Sequence, residues 1–155
     1  MNDIPNDRES VARIHGAVAL TATARGLHRV RITMSPPRTM PMAFVVAEAP
    51  ADETSDDVIS RIMLELASGE ALRMLNGVEP GVPAGATTLL ERLATVHGDE
   101  REPAVVLQEC RAKVARLLNA NRGLVDMLGS VLFREGSLQG ADVQRMIGDS
   151  LSNPD

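Results

Sequence analysis

Aromatic residues are almost absent from this sequence, which contains no tryptophan, no tyrosine and only two phenylalanines, Phe44 and Phe133. Proteins that bind single-stranded nucleic acid stack its bases on aromatic side chains, so this scarcity argues against that class. Lysine is also rare, because Lys113 is the only one among 16 basic residues, and the formal net charge is -5 at pH 7. Since a nucleic-acid surface is normally basic, we expect no nucleic-acid partner.

Cysteine occurs once, as Cys110, so the chain cannot form an internal disulfide. This usage agrees with the reducing environment of the cytoplasm. Cys110 recurs at helical spacing with Leu107, Val114 and Leu117, which predicts a core position rather than a reactive thiol. No apolar run reaches the roughly 20 residues that a membrane-spanning helix needs. The polar start MNDIPNDRES lacks the features of a secretory signal. We therefore predict a cytoplasmic protein without a membrane span.

The length of 155 residues and the hydrophobic content of 44% fit one folded domain. A chain of this size buries roughly two-thirds of the surface that it exposes when unfolded. We expect a flexible leader over residues 1–9, a single domain over residues 10–150 and a short tail over residues 151–155.

A long helical pattern runs from Val11 to Gly26 and reads VARIHGAVALTATARG. It contains no proline, and its apolar residues recur at intervals of three and four, which places them on one face of an α-helix. The residues of that face are Val11, Ile14, Val18 and Ala22. Ser10 and Gly26 suit the N-cap and the C-terminal end of such a helix. His15 is beside this face rather than on it, which predicts a solvated side chain.

After this helix the period changes to a two-residue alternation. The stretch HRVRITM, from His28 to Met34, predicts a half-buried strand. The proline-rich segment SPPRTMP then predicts a turn, and MAFVVA, from Met42 to Ala47, predicts a second strand. We expect the two strands to pair as a β-hairpin with one exposed edge.

Helical patterns fill the rest of the chain. One begins with Ser55 as its N-cap and ends at Gly77. A charged linker, GDEREP, precedes a helix with Pro103 in its first turn, and the apolar pattern continues from there to Gly136. These patterns predict a mainly α fold, or α+β, with a small β-hairpin and a C-terminal helical bundle.

Several of these stretches resemble the peptidase domain of the FtsH-type ATP-dependent zinc metalloproteases. VARIHGAVALTATARGL is similar to the active-site helix of that family, VAxHEAGHAxVAxxxGL, and HRVRITM is similar to its strand HRVTI. LASGEALRMLNG resembles LAGRAAEELxFG, and VEPGVPAGATTLLERLATV resembles xTTGASNDLxxAT. The C-terminal part resembles the family's leucine-rich end, with its NR pair and its last short helix. The resemblance runs from Val11 to Ile147 and implies an FtsH-peptidase-like helical domain.

The zinc-binding residues of that family are replaced in this sequence. By the resemblance, Ile14 and Val18 stand at its two histidine positions, and Leu89 stands at the position of its third ligand, an aspartate. His15 stands at the position of the catalytic glutamate. Imidazole and carboxylate groups bind zinc through lone pairs that aliphatic side chains do not have. We therefore expect no metal and no catalytic residue, although zinc is the cofactor that the family implies.

Leu89 also has a second interpretation, and the two carry equal weight. Thr88, Leu89, Leu90 and Glu91 form a capping-box sequence, and a leucine there can pack beneath its own helix.

No phosphate-binding stretch of the form Gly-x-x-x-x-Gly-Lys-Ser/Thr occurs, so we expect no ATP site and no ATP-driven unfolding in this chain.

We predict a pseudopeptidase that acts as an interaction, adaptor or regulatory module. Its partner is expected to be a peptide or a protein, including an FtsH-type protease. Family members form rings, so the resemblance also implies a homo-oligomer. An extended peptide can add to an exposed sheet edge through backbone hydrogen bonds, a mode that needs no metal. The residues that we assign to such an edge are Met42, Ala43, Phe44, Val45, Val46 and Ala47.

Two other functions remain open. The first is a divergent metallopeptidase with relocated ligands, although His15, His28 and His97 share no ligand spacing. The second is a helical scaffold whose partner is unrelated to proteolysis.

Two groups of side chains near the predicted sheet also have alternative roles. The arginines form either a solvated strand face or a docking patch for an acidic partner. They are Arg25, Arg29, Arg31 and Arg38. The methionines are either core residues or an adaptable binding surface. They are Met34, Met40, Met42 and Met63.

We predict that Ile14, Val18 and Leu89 meet where zinc lies in the family and fill that space as an apolar plug. Each buried aliphatic side chain would then contribute about 1.5–3 kcal/mol to stability. Replacing Ile14 and Val18 together with histidine is expected to lower the melting temperature in the absence of zinc, which thermal denaturation measures. An unchanged melting temperature would contradict the plug.

Overall fold

In the computed structural model, the described part of the chain comprises residues 8–26, 30–34, 43–47 and 52–154. This part is mainly helical, as the sequence predicts, with six α-helices and a three-stranded sheet. None of its helices is both long and apolar enough to cross a membrane. The elements in chain order are α1 (Arg8–Ala24), β1 (Val30–Met34), β2 (Ala43–Ala47), α2 (Ser55–Asn76), α3 (Ala84–Thr95), α4 (Pro103–Ala120), α5 (Arg122–Glu135), β3 (Ser137–Gln139) and α6 (Gly140–Ile147), followed by a 3-10 turn (Gly148–Ser150).

The sheet has the order β2-β1-β3, and both pairs are antiparallel. The predicted pairing of the first two strands is confirmed, with Ile32 opposite Val45. On its other side β1 pairs with β3, where Ile32 is opposite Leu138. The sequence does not predict β3, because three residues are too few to show a two-residue alternation. His28 and Met42, at the predicted strand ends, lie outside the described residues.

α1 is the central helix of the core. Every residue from Gly16 to Ala22 is buried, because α1 is covered mainly by α5 and α2 and also by α4 and α6. A helix that is apolar on all sides is typical of such a buried position. Thr21 is the polar exception, and its hydroxyl donates to the Ala17 carbonyl oxygen at 2.9 Å. The buried hydroxyl of Thr21 is therefore hydrogen-bonded.

The start of α1 differs from the prediction, whereas its end agrees. The helix begins at Arg8, so Ser10 lies inside its first turn and is not the N-cap, and residues 8 and 9 of the expected leader are helical. Glu9 favours this earlier start, since a carboxylate in the first turn interacts with the positive end of the helix dipole. Gly26 follows the helix with φ of 75°, a left-handed conformation that glycine adopts without steric cost.

Two glycines allow α1 and α5 to cross in direct backbone contact. A Cβ atom added at Gly16 would lie 2.9 Å from the Gly129 backbone nitrogen and 3.1 Å from the Val125 carbonyl oxygen. A Cβ atom added at Gly129 would lie 2.8 Å from the Arg13 Cα atom. Side chains do not approach backbone atoms so closely, so neither helix accepts a larger residue without moving. This crossing forms the most extensive helix pair among the described residues.

The N-cap of α2 is one residue earlier than predicted. The Thr54 hydroxyl accepts a hydrogen bond from the Asp57 backbone nitrogen at 3.2 Å, and the Asp57 carboxylate accepts one from the Thr54 backbone nitrogen at 2.8 Å. This reciprocal capping box makes Thr54 the cap and Ser55 the first helical residue. Gly77 ends α2 with φ of 70°, as the sequence predicts.

The capping-box interpretation of residues 88–91 is wrong. α3 begins at Ala84, so Thr88 lies inside the helix, where its hydroxyl donates to the Ala84 carbonyl oxygen at 3.2 Å. Pro83 is the N-cap residue instead. Threonine and serine signals for a helix start can also occur within a helix, because their hydroxyls bond equally well to the preceding turn.

Asn121 divides the C-terminal helical pattern and fixes the end of the chain. α4 begins with Pro103, as predicted, but the pattern that continues to Gly136 consists of two helices that meet at Asn121. The buried Asn121 amide nitrogen donates to the carbonyl oxygens of Leu117 at 2.8 Å and Ser152 at 2.6 Å. Its Oδ1 atom accepts from the Ser152 backbone nitrogen at 2.8 Å. The start of the expected tail is therefore held against the junction of α4 and α5.

We predict that Gly129→Ala lowers the free energy of unfolding by about 1–3 kcal/mol, because the added methyl group overpacks the crossing with α1. Gly123→Ala is the matched control, since Gly123 is also in α5 but nothing lies within 4 Å of its added Cβ. This control is expected to gain about 0.4–1 kcal/mol. Urea denaturation measures both values, and equal effects of the two substitutions would contradict the close crossing.

Candidate functional site

The three zinc-ligand positions implied by the resemblance lie in or against one apolar core. Val18 on α1 is 2% exposed and Leu89 on α3 is 8% exposed, and Ile14 packs against the same core one turn before Val18. α1 packs chiefly on α5 and α2, whereas α3 packs on α2 and α4. α2 is therefore the main neighbour that the two helices share. That the three side chains converge on a single point stays a prediction.

His15, at the position of the family's catalytic glutamate, is not a solvated residue. Its Nδ1 atom is buried and has no hydrogen-bond partner among the described residues. Burial lowers the pKa of the imidazole and so favours its neutral form. The prediction of a solvated side chain is wrong because several helices, not one, cover α1. A histidine general base normally has its second ring nitrogen oriented by an acceptor, and the described residues supply none to Nδ1.

No group of three or more His, Cys, Asp and Glu side chains in the described ranges is arranged to hold a metal ion. His97 contacts Glu53, with 3.1 Å between Nε2 and Oε2. His28 lies outside these ranges. Because one of the three histidines is not described, a zinc site with relocated ligands stays an alternative.

The predicted peptide-binding strand lies at an edge of the sheet. In the part of the chain that the structure describes, β2 pairs only with β1, since the strand order is β2-β1-β3. Alternate backbone groups of an edge strand point away from the sheet and can pair with an added extended segment. Of the assigned residues, Met42 lies outside the described part, and the strand consists of Ala43, Phe44, Val45, Val46 and Ala47.

Glu53, just before α2, contacts three basic side chains, one in α2, one in α3 and one just after α3. Arg92 Nε donates to Glu53 Oε2 at 2.6 Å, and His97 Nε2 lies 3.1 Å from the same oxygen. Arg61 Nη1 lies 3.6 Å from Oε1, and the carboxylate side chain is only 9% exposed. The hydrogen bonds with His97 and then with Arg92 lower the pKa of Glu53. This cluster ties the start of α2 to the end of α3, and no local sequence pattern predicts it.

Glu70, on α2, is a second carboxylate that the motifs do not identify. Its side chain is 1% exposed, and neither oxygen has a hydrogen-bond partner among the described residues. Two guanidinium groups are near, with Arg73 Nη1 3.5 Å from Oε2 and Arg111 Nε 3.8 Å from Oε1. A sequence signal exists, because Glu70 continues the four-residue spacing of Ile62 and Leu66, both buried. The sequence feature that identifies Glu70 is therefore a carboxylate on the apolar face of a helix.

Among the arginines of the predicted basic patch, Arg25 is the one whose side chain falls within the described residues. Its Nε atom donates to the Ser60 hydroxyl at 3.0 Å, and its Nη2 atom donates to Asp56 Oδ1 at 2.9 Å. Arg25 therefore holds the end of α1 against α2 and does not belong to a solvated strand face. The side chains of Arg29, Arg31 and Arg38 lie outside the described part.

The core position predicted for Cys110 is confirmed, and of the two roles left open for Met63 the core position is the one observed, since each residue is 2% exposed. Burial raises the pKa of the Cys110 thiol, which disfavours the reactive thiolate. The other methionines of the predicted group offer no comparison, because the side chains of Met34, Met40 and Met42 lie outside the described part.

Neither a protein-family model nor a curated protein matches this chain. The resemblance to the FtsH-type peptidase domain rests on the residues quoted for it, and any function drawn from that resemblance is a proposal. The structure contributes three features that do not depend on it. They are a mainly helical fold, an edge strand, and two carboxylates paired with basic side chains, the partly exposed Glu53 and the buried Glu70.

We predict that Glu53→Gln lowers the stability at neutral pH and that this loss disappears in acid. The pKa of Glu53 is depressed in the folded protein, so the carboxylate contributes stability above its unfolded pKa. That contribution is lost as the pH falls through the folded pKa. Guanidinium denaturation of both proteins, at neutral pH and well below the ordinary pKa of 4.5, measures the difference.

Glu91→Gln is the matched control for this prediction, because Glu91 is exposed on α3. The control is expected to change the stability little at either pH, since exposed charges contribute little. A loss in Glu53→Gln that is the same at both pH values would contradict an ionised Glu53 as the centre of the cluster.

Proposed function

We propose that this chain is a non-catalytic, FtsH-peptidase-like interaction module that holds an extended polypeptide segment at the outer edge of β2. The observation that carries the proposal is the strand order β2-β1-β3, in which β2 pairs only with β1 among the described residues. An edge strand offers a row of backbone donors and acceptors that an added strand can satisfy.

The loss of hydrolysis is supported by the side chains at the positions that the resemblance assigns to zinc. Val18 and Leu89 are buried members of the apolar core, and Ile14 packs against it. A divalent cation among such side chains would lose its hydration without gaining lone pairs. His15 replaces the glutamate that would polarise water, and burial lowers its pKa.

The partner that this surface fits is an unfolded or extended segment of another protein. Backbone pairing along a sheet edge is tolerant of sequence, so it suits a module that recognises extended conformation rather than one fixed peptide. A segment of an FtsH-type protease, or of a protein that such a protease degrades, has this chemistry. The same edge can also pair with β2 of a second copy, in accordance with the homo-oligomer that the resemblance implies.

Casein, which is largely unfolded, provides a direct test. Because this chain contains no tryptophan and no tyrosine, the intrinsic fluorescence of casein reports binding without background from the module. We predict a saturable change in casein fluorescence, no casein fragments on a gel, and no effect of a metal chelator on either result. Absence of binding would contradict the proposed surface.

Two neighbouring proline substitutions test which edge of β2 binds. Successive residues of a strand direct their N–H groups to opposite edges, so one of Val45→Pro and Val46→Pro removes a donor facing β1 and the other removes an outward donor. The outward substitution is identified by its smaller effect on the melting temperature. We expect it to abolish casein binding, and retained binding in that variant would contradict the assignment of β2.

Metal content distinguishes this proposal from a divergent metallopeptidase. Elemental mass spectrometry on purified, untagged protein is expected to find no stoichiometric zinc. Stoichiometric zinc together with chelator-sensitive cleavage of casein would overturn the proposal in favour of an enzyme with relocated ligands.

A further inference from the structure

The two edges of the described sheet differ in length and composition. β3, at one edge, has three residues, and its first and last residues, Ser137 and Gln139, are polar and exposed. β2, at the other edge, has five residues, AFVVA, without a charge or a proline. Proteins protect an edge strand by making it short, by placing charges or proline in it, or by covering it. Because β2 has none of the first three protections, we expect another strand to cover it.

The register of the strands assigns the residues of β2 to two faces of the sheet. Residues opposite each other in an antiparallel pair share a face, and successive residues of a strand alternate between faces. Val45 is opposite Ile32, and Ile32 is opposite the buried Leu138, so these three residues share the buried face. Phe44 and Val46 therefore belong to the other face, which also carries the exposed first and last residues of β3.

This second face, here called the outer face, is polar on β1 and β3 and apolar on β2. Its polar residues are Arg31, Thr33, Ser137 and Gln139. Its residues on β2 are Phe44 and Val46, so the apolar part of the outer face lies at an edge of the described sheet. A solvated sheet normally has the reverse arrangement, with polar or charged residues at its edges. A further strand beside β2 would move these two residues to the middle of a larger sheet.

The sequence of β2 is complementary to itself. In an antiparallel pair of β2 strands centred on Val45, Phe44 is opposite Val46 of the second copy, which is a favourable pair of an aromatic and a β-branched residue. The small residues Ala43 and Ala47 are opposite each other in the same way. This alignment pairs the whole strand and joins like faces. It also satisfies the backbone, because the alternate residues that direct N–H and C=O groups outward are opposite their equivalents in the second copy.

We propose that two copies of this chain pair antiparallel through β2 about a two-fold axis at Val45, and that this dimer covers the edge until an extended segment of another protein displaces the second copy. The dimer is argued from the register and composition of β2, whereas its role as a cover rests on the proposed function. A five-residue strand is small beside the roughly 20–30 residues that each protein contributes to a stable interface. The dimer is therefore weak and reversible, which allows displacement.

Sedimentation equilibrium of the intact chain tests whether the dimer exists. We expect the average mass to rise reversibly from that of one chain to that of two as the concentration increases. A chain that stays monomeric up to about 1 mM has no self-association of useful strength, and this result would overturn the proposal.

Two double variants test the alignment of the strands. Phe44→Lys with Val46→Lys places like charges opposite each other in the proposed pairing, whereas Phe44→Lys with Val46→Glu places opposite charges there. We expect the first variant to associate at least about tenfold more weakly than the second. Phe133→Lys is the control, because it removes an exposed phenylalanine of α5 and is expected to leave the dimer unchanged. Equal association of the two double variants, or loss of the dimer in the control, would overturn the proposal.

A synthetic peptide with the sequence of residues 42–48, MAFVVAE, tests displacement. The peptide adds little mass, so sedimentation still distinguishes one chain from two. We expect it to convert the dimer to monomers, and we expect no effect of the same peptide with proline in place of both valines, since proline lacks the N–H donor. A dimer that persists with the unmodified peptide would overturn the role as a cover.

Casein fluorescence in the same samples separates this proposal from the proposed function. Casein binding by a chain that never dimerises would overturn the dimer and leave the proposed function intact. A chain that dimerises but binds no casein, even when diluted to monomers, would contradict the proposed function and with it the role as a cover.

Discussion

The backbone contact between Gly16 and Gly129 is the constraint on which the rest of the fold depends. Each glycine faces backbone atoms of the opposite helix at distances that leave no room for a Cβ atom. The crossing brings the backbones of α1 and α5 into direct contact, and α2, α4 and α6 also pack against α1. Both residues are required together, because a Cβ on either side would separate the same pair of helices.

The crossing also explains how the sheet forms. β1 follows α1 in the chain and β3 follows α5 directly, so holding the two helices side by side brings these strands together. β1 and β3 then pair antiparallel, which makes β1 the central strand and leaves β2 at the edge. The edge position of β2 among the described strands, on which the proposed function rests, therefore depends on two glycines in helices that contain none of its residues.

The sequence predicts this fold well where a pattern repeats over several turns. The helices α1, α2 and α4 were recognisable because their apolar residues recur at helical spacing over more than ten residues. The pairing of β1 with β2 was recognisable from two strand-like stretches on either side of a proline-rich turn. The division of the C-terminal pattern at Asn121 was not recognisable, because the apolar residues continue across it and asparagine is not a strong breaker within a helix.

Features that depend on a neighbour distant in sequence cannot be predicted from a local pattern. The amphipathic pattern of α1 predicts one buried face, but the number of helices that cover it decides whether His15 is solvated. Gly16 falls inside the stretch that resembles a zinc helix, and nothing local to it indicates a close crossing with Gly129. The Glu53 cluster likewise joins a residue just before α2 to Arg92 in α3 and to His97 just after α3, so no short spacing contains it.

Glu70 combines both kinds of feature. Its place on the apolar face of α2 is predictable from its spacing, but the reason for a carboxylate there is visible only in the structure. It occupies a position on the buried face of α2 where Ile62 and Leu66 precede it by two turns and one turn. A leucine would continue the apolar face, but removing one partner of a buried ion pair costs about 3–5 kcal/mol, because the other charge stays buried without a counter-charge. Glu70 is that counter-charge for Arg111, whose buried Nε atom lies 3.8 Å from Oε1 and has no hydrogen bond in the described structure. Its ion pairs with Arg73 in α2 and Arg111 in α4 therefore explain a charged residue on the buried face of α2.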